Sequence, residues 1–179
     1  FYKVRDRYET YIDTETQLPA KFFRSVNEGG FKFTNNVYFN QVANKATSAN
    51  GTFSVPKCVQ DVLSSIFFAR NIDYNSYPIG AKIPFSMFLD DQVYKLNITY
   101  LGKEKITTKY GTFKTIKIKP LLISGTIFKE GDQMTIWVSD DANHIPVRVD
   151  SPILVGSIKV DLVGYDKLRN PFSSLINLK

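Results

Sequence analysis

Val93-Tyr94-Lys95-Leu96-Asn97-Ile98-Thr99-Tyr100 decides the fold class. Tyr94, Leu96, Ile98 and Tyr100 share one parity; Val93, Lys95, Asn97 and Thr99 share the other. A helix would scatter the first set around its circumference, whereas a half-buried strand lines them up on one face. The same period of two recurs in Met134, Ile136 and Val138, in Ile145, Val147 and Val149, and in Ile158, Val160 and Leu162. Phe31, Phe33, Val37 and Phe39 share a parity, and Val4, Tyr8 and Ile12 alternate against Arg5, Arg7 and Glu9.

Turn chemistry separates these runs. Asp13-Thr14-Glu15-Thr16, Glu28-Gly29-Gly30, Ala49-Asn50-Gly51, Leu89-Asp90-Asp91-Gln92, Tyr110-Gly111 and Asp140-Asp141-Ala142-Asn143 all suit tight connections. Gly, Asn and Asp tolerate the positive φ angles of hairpin turns. Turns at roughly 8–12-residue intervals imply a meander of antiparallel strands. The expected fold is all-β: about ten strands, a common size for a large sheet, curled into a partly open barrel or clam with one main helix.

That helix is expected over residues 57–70, where Val59, Val62, Leu63, Ile66 and Phe67 follow helical spacing. Pro56 suits its entry, Asp61 its positive end, and Arg70 with Asn71 its exit. Its Val59, Leu63, Ile66 and Phe67 side is expected to pack on the sheet. Pro78, Gly80 and Pro84 mark a loop. One domain over 1–179 is expected: a β-rich body, 1–165, and a tail, 166–179, whose weaker pattern suits a short helix or a loosely packed end.

Composition narrows the chemistry. The chain has 179 residues, one His and one Cys. That leaves no structural disulfide, no thiolate zinc site and no multi-histidine centre. No apolar run reaches the roughly 18–20 residues of a membrane-spanning helix, so no transmembrane segment is expected. The chain opens at Phe1 inside a strand-like pattern, as a mature or trimmed fragment lacking its leader would. Net charge is +6, but the cations are dispersed: Lys3, Arg5 and Arg7, then Lys103 and Lys105, then Lys114, Lys117 and Lys119. This reads as solvated strand faces and protected edges, with no nucleic-acid partner expected.

No catalytic set emerges. His144 sits beside a hairpin loop with no visible nucleophile partner. Asp140 and Asp141 lack calcium-loop spacing. Cys58 has no second thiol for exchange and reads as a packing residue. Asp90 and Asp91 are adjacent turn residues, which diverge rather than face a sugar across a cleft. No phosphate-cradling glycine motif occurs. The expectation is no catalytic residue, no metal site and no cofactor.

Several strings together resemble a bacterial, Bacteroides-type family of exported proteins of unknown function with a YmcC-like fold. They are Asp61-Val62-Leu63-Ser64-Ser65-Ile66-Phe67-Phe68-Ala69-Arg70, Gly102-Lys103-Glu104-Lys105-Ile106, Tyr110-Gly111-Thr112-Phe113-Lys114-Thr115 with Lys119-Pro120, Ile136-Trp137-Val138-Ser139-Asp140-Asp141, Ile145-Pro146-Val147-Arg148-Val149 and Gly156-Ser157-Ile158. The opening from Phe1 to Pro19 and Glu28-Gly29-Gly30 also fit. The resemblance implies a periplasmic or outer-membrane-associated address and a curled antiparallel sheet, and it carries no established activity. The Trp137 to Arg148 hairpin is also similar to those of periplasmic lipoprotein carriers.

The functional expectation is a non-catalytic envelope protein that binds an apolar or amphipathic ligand, such as lipid, in the concave face of the sheet. Phe31, Phe33, Tyr94, Tyr100 and Trp137 are the candidate lining. Arg70 and Arg148 are the candidate cations to orient a head group, although the helix dipole and strand parity favour reading them as a helix-end charge and an outward strand charge. The alternative is a structural or interaction module that meets another envelope protein through a sheet edge. A glycan-acting enzyme ranks third.

Overall fold

The computed structural model describes residues 3–121, 134–152 and 156–178. Phe1, which opens the stretch to Pro19, and Lys179, which ends the tail, lie outside the described residues. The described chain is mostly β, with two antiparallel sheets, neither closed into a barrel, and one α-helix. The backbone gathers into two compact units, residues 1–69 with 85–95, and residues 70–84 with 96–179.

The first unit holds a five-stranded meander: β1 (Arg7–Ile12), β2 (Pro19–Glu28), β3 (Phe31–Asn40), β4 (Lys45–Ser48) and β5 (Gly51–Ser54), in that spatial order. Cross-strand partners share a face, so Phe22 opposite Val37, Phe39 opposite Ala46 and Ala46 opposite Phe53 define the inner one. Phe22, Val37, Phe39 and Ala46 are buried there with Val55, Val59 and Phe88, and Leu63 and Val93 pack against them. Phe39 meets Phe88 edge-on with ring centres 6.2 Å apart.

The helix is shorter than the expected 57–70. α1 spans Ser64–Arg70. Cys58 has φ of 57°, a left-handed conformation that no helix interior accepts. Gln60 then bridges to Met87: its N–H donates to the Ser86 carbonyl and its carbonyl accepts from Phe88, both at 2.8 Å. This extended contact, rather than a helical turn, buries Val59. Asp61 closes the next turn, its Oδ1 accepting from the N–H groups of Leu63 and Ser64 while its own N–H donates to Ser64 Oγ at 2.7 Å. This is a reciprocal cap. The expected packing face is half right. Val59 is buried and Leu63 packs on the core, but Ile66 and Phe67 are 50% and 43% exposed.

β6 (Lys82–Leu89) and β7 (Gln92–Thr107) form the hairpin that enters the second sheet. Asp90 and Asp91, with φ of 50° and 60°, make its turn, as their residue types suggest. Along β7 the alternation largely holds: Ile98 and Tyr100 are buried and Lys95 is exposed, while Tyr94, Leu96 and Asn97 are half-buried. β8 (Gly111–Pro120), β9 (Thr135–Ser139), β10 (Pro146–Pro152) and β11 (Ser157–Asp161) continue the sheet in order. β8 is its centre, with Phe113 and Thr115 buried on one face and Ile116 and Ile118 on the other.

The tail corrects the expectation of a short helix or loose end. β12 (Leu175–Leu178) pairs with β8, taking over its edge where β9 stops. The Asp140 N–H donates to the Lys114 carbonyl, and the Lys114 N–H donates to the Ser174 carbonyl. Buried Asn143 holds the approach: its Oδ1 accepts from the Asn170 N–H at 3.0 Å, and its Nδ2 donates to the Asn170 carbonyl at 3.1 Å. Phe172 packs on Phe113 and Tyr165. Gly111 makes room, because a Cβ there would run into the carbonyl oxygen of Asn177.

Two outcomes follow from this packing. Gly111→Ala should displace β12 and cost about 1–3 kcal/mol, the usual range for overpacking; urea unfolding with amide exchange over 112–114 reads both. Asp61 is fully buried, and burial pushes its carboxyl above the ordinary value of 3.8, against hydrogen bonds from Thr10, Ser64 and Leu63. A carboxyl raised in the folded state favours the fold at low pH and loses that contribution as pH climbs through the raised value. The stability of Asp61→Asn relative to wild type should therefore improve as pH rises above about 4, measured by urea unfolding across pH.

Candidate functional site

On β3, strict alternation keeps Phe31 and Phe33 on the same inner face as Val37 and Phe39. The core covers only one end of that face. Phe22 and Val37 are buried, while Phe31 is 64% and Phe33 37% exposed. Across the pair, Phe33 stands opposite Val26 and Phe31 opposite Glu28. Val4, bridged to Glu28, adds a third exposed apolar side chain.

Arg24 marks the boundary between the buried and open ends. It shares the parity of Phe22 and Val26 and so points inward from β2. Its guanidinium lies 4.8 Å from the centre of the Phe33 ring, and Nη2 pairs with Asp90. The Arg24 side chain is only 12% exposed, against 53% for Asp90. Among the described residues its Nε is buried without a hydrogen-bond partner. A buried unmade donor is costly, and an arginine presents its donors as a fixed fork suited to carboxylate and phosphate. This residue was missed by sequence reasoning, although an arginine in an apolar parity was the available signal.

Asp90 and Asp91 are held structurally. Asp90 pairs with Arg24, and Asp91 Oδ2 accepts from Asn50 Nδ2 at 2.6 Å. Tyr94, also in the first unit, lies half-buried beside Gln92.

The other expected residues belong to the second unit. Tyr100 opposes Ile118, which also opposes Ile136, whereas Trp137 opposes Lys117. Tyr100 and Trp137 therefore lie on opposite faces of one sheet and do not line one hollow. Tyr100 packs against buried Tyr74 with ring centres 5.7 Å apart. Trp137 and Arg148 do meet, as direct partners across β9 and β10. They sit in a rung that runs from Lys117 through Trp137 and Arg148 to Asp161, and Glu104 on β7, which stands opposite Thr115, reaches it with its side chain. The indole N–H donates to Glu104 Oε1 at 2.5 Å, and Lys117 Nζ is 3.1 Å from the same oxygen. These two donors hold the Glu104 carboxyl below its usual range, the indole contributing most. Arg148 grips Asp161 with two hydrogen bonds of 2.6 and 2.7 Å, which lower the Asp161 carboxyl in turn. Arg148 is thus spent on the sheet.

Arg70 and His144 are also occupied. Arg70 Nη2 donates to the Asn143 carbonyl at 3.0 Å. His144 Nδ1 lies 2.8 Å from the Arg70 carbonyl, and its ring meets Tyr74 edge-on at 5.7 Å. The imidazole is half-buried at the end of the helix rather than solvated on a loop tip. Among the described residues, no group of three or more His, Cys, Asp or Glu could hold a metal ion, and no helix is long and apolar enough to cross a membrane.

No curated protein and no solved structure matches the chain. Residues 1–163 match the model of a family described as protein of unknown function (DUF3108). The chain belongs to that family.

Proposed function

We propose that this is a non-catalytic, exported protein of the cell envelope that binds an amphipathic ligand on the inner face of its five-stranded sheet. The periplasmic or outer-membrane-associated address rests on the bacterial, exported, YmcC-like family that the sequence resembles. The ligand reading rests on one observation: Arg24 seated on Phe33 where the filled core gives way to exposed Phe31 and Phe33. An acyl chain would cover the two rings, and an anionic head group would reach the guanidinium. Arg24 pairs with Asp90 through Nη2 but keeps an Nε without a hydrogen-bond partner among the described residues, and it takes the head-group role that the sequence suggested for Arg70 and Arg148, whose guanidinium groups hold the Asn143 carbonyl and Asp161.

A second reading, an interaction module that accepts a strand from another envelope protein, draws on β11. That strand ends the described path of its sheet, and its Ile158 and Val160 are exposed. An unpaired strand edge is a template for strand addition.

A dansyl-labelled fatty acid should bind the wild-type protein and be displaced by unlabelled fatty acid. Phe31→Ser, at an exposed position that leaves the core intact, should weaken binding by about tenfold, the loss expected when one aromatic contact is removed. Arg148→Gln should bind as wild type does. Absence of wild-type binding, or equal binding by folded Phe31→Ser, would contradict the reading and favour the interaction module.

A further inference from the structure

On the second sheet, several cations meet acids. Lys117 meets Glu104, Arg148 meets Asp161, and Lys159 meets Asp150 at 3.5 Å. One rung instead sets two cations face to face. Lys105 on β7 stands directly opposite Lys114 on β8. Both are exposed, and neither pairs with a carboxylate among the described residues. Like charges directly opposite each other on a sheet destabilise the pair.

The same rung lies in a depression of about 210 Å³ lined by Lys103, Glu104, Lys105, Lys114, Thr115 and Asp140. Its acids are already engaged. Asp140 Oδ1 is 2.8 Å from Lys103 Nζ, and Glu104 is held by Lys117 and Trp137. Thr115 donates its hydroxyl to the Glu104 carbonyl at 2.8 Å. What remains is Lys105 and Lys114, both exposed and directly opposite each other on the two strands that line the depression. The bulge between Tyr100 and Lys103, where Gly102 takes φ of 97°, sets the pairing that brings Lys105 and Lys114 face to face.

We propose that this depression binds a phosphate-type dianion, with Lys105 and Lys114 as its two ligating cations. Two ammoniums match the charge of one phosphomonoester, and charge-assisted hydrogen bonds to its oxygens would turn their mutual repulsion into shared attraction. The hollow suits a phosphate group with a few attached atoms rather than a polymer. The site belongs to the second unit and is independent of the aromatic surface on the first.

Amide chemical shifts should be followed while wild-type protein is titrated with inorganic phosphate, against sodium chloride at matched ionic strength, and separately with vesicles containing phosphatidic acid. Phosphate should move the Lys105, Lys114 and Thr115 amides beyond the chloride control if the ligand is a small soluble one; a response to vesicles alone would assign the same chemistry to a lipid head group. Lys114→Gln and Lys105→Gln should each weaken the response by about tenfold, the loss of one charge-assisted contact. Without ligand they should unfold no more easily than wild type, because the like-charge pair is gone. Lys159→Gln should respond as wild type does. If neither phosphate source moves these amides beyond the control, or if the Lys105 and Lys114 variants respond as wild type does, the proposal is overturned.

Discussion

A strand offers two faces, and a sheet that buries one of them must keep the buried parity apolar. In the first unit that constraint holds from Phe53 through Ala46, Phe39, Val37 and Phe22. It then meets Arg24, a cation on the same parity. The guanidinium is tolerated there because Phe33 lies under it and Asp90 lies beside it. Burying a charge costs far more than burying a neutral group unless it is paired and hydrogen-bonded. The β6–β7 turn supplies that pair, and Asn50 holds the turn in place through Asp91. The core stops and the exposed aromatic surface begins at this point.

The second sheet handles its charges differently. Its outer face is a ladder of matched pairs, in which Trp137 is fixed by an indole hydrogen bond and a cation above its ring. Such an arrangement holds an aromatic as part of the surface rather than as a free lining. The tail extends the same sheet along the edge of β8 that β9 leaves free. Two asparagines exchange hydrogen bonds so that β12 can replace β9 along β8, and the absence of a side chain at Gly111 lets it approach. Polar side chains, rather than an apolar stripe, direct this last segment into place.

Much of this was legible in the sequence, for physical reasons that can be named. The period of two in Tyr94 to Tyr100 and in Phe31 to Phe39 made the strands visible, and paired aspartates made the hairpin turn visible. The helix was overextended because Val59, Val62 and Leu63 carry helical spacing, yet Val59 reaches the core through a bridge to β6 after a left-handed residue at Cys58. The tail was unreadable because its anchor, Asn143, lies 27 residues away from its partner Asn170. Of the site, parity placed Phe31 and Phe33 on one face. Whether Tyr100 and Trp137 share a face depends on register across three strands, which no local pattern shows. Arg24 stood in plain view as a charge out of place in an apolar parity.

The central claim is that an amphipathic ligand lies over Phe31 and Phe33 with its head group at Arg24. Paramagnetic relaxation by a nitroxide-labelled fatty acid tests it most directly, since the effect falls steeply with distance. With the label near the carboxylate, broadening should centre on the Arg24 side chain and the Asp90 amide; with the label far along the chain, it should move to Phe31 and Val4. Broadening centred on Trp137 and Arg148, or none at saturating ligand, would contradict the account.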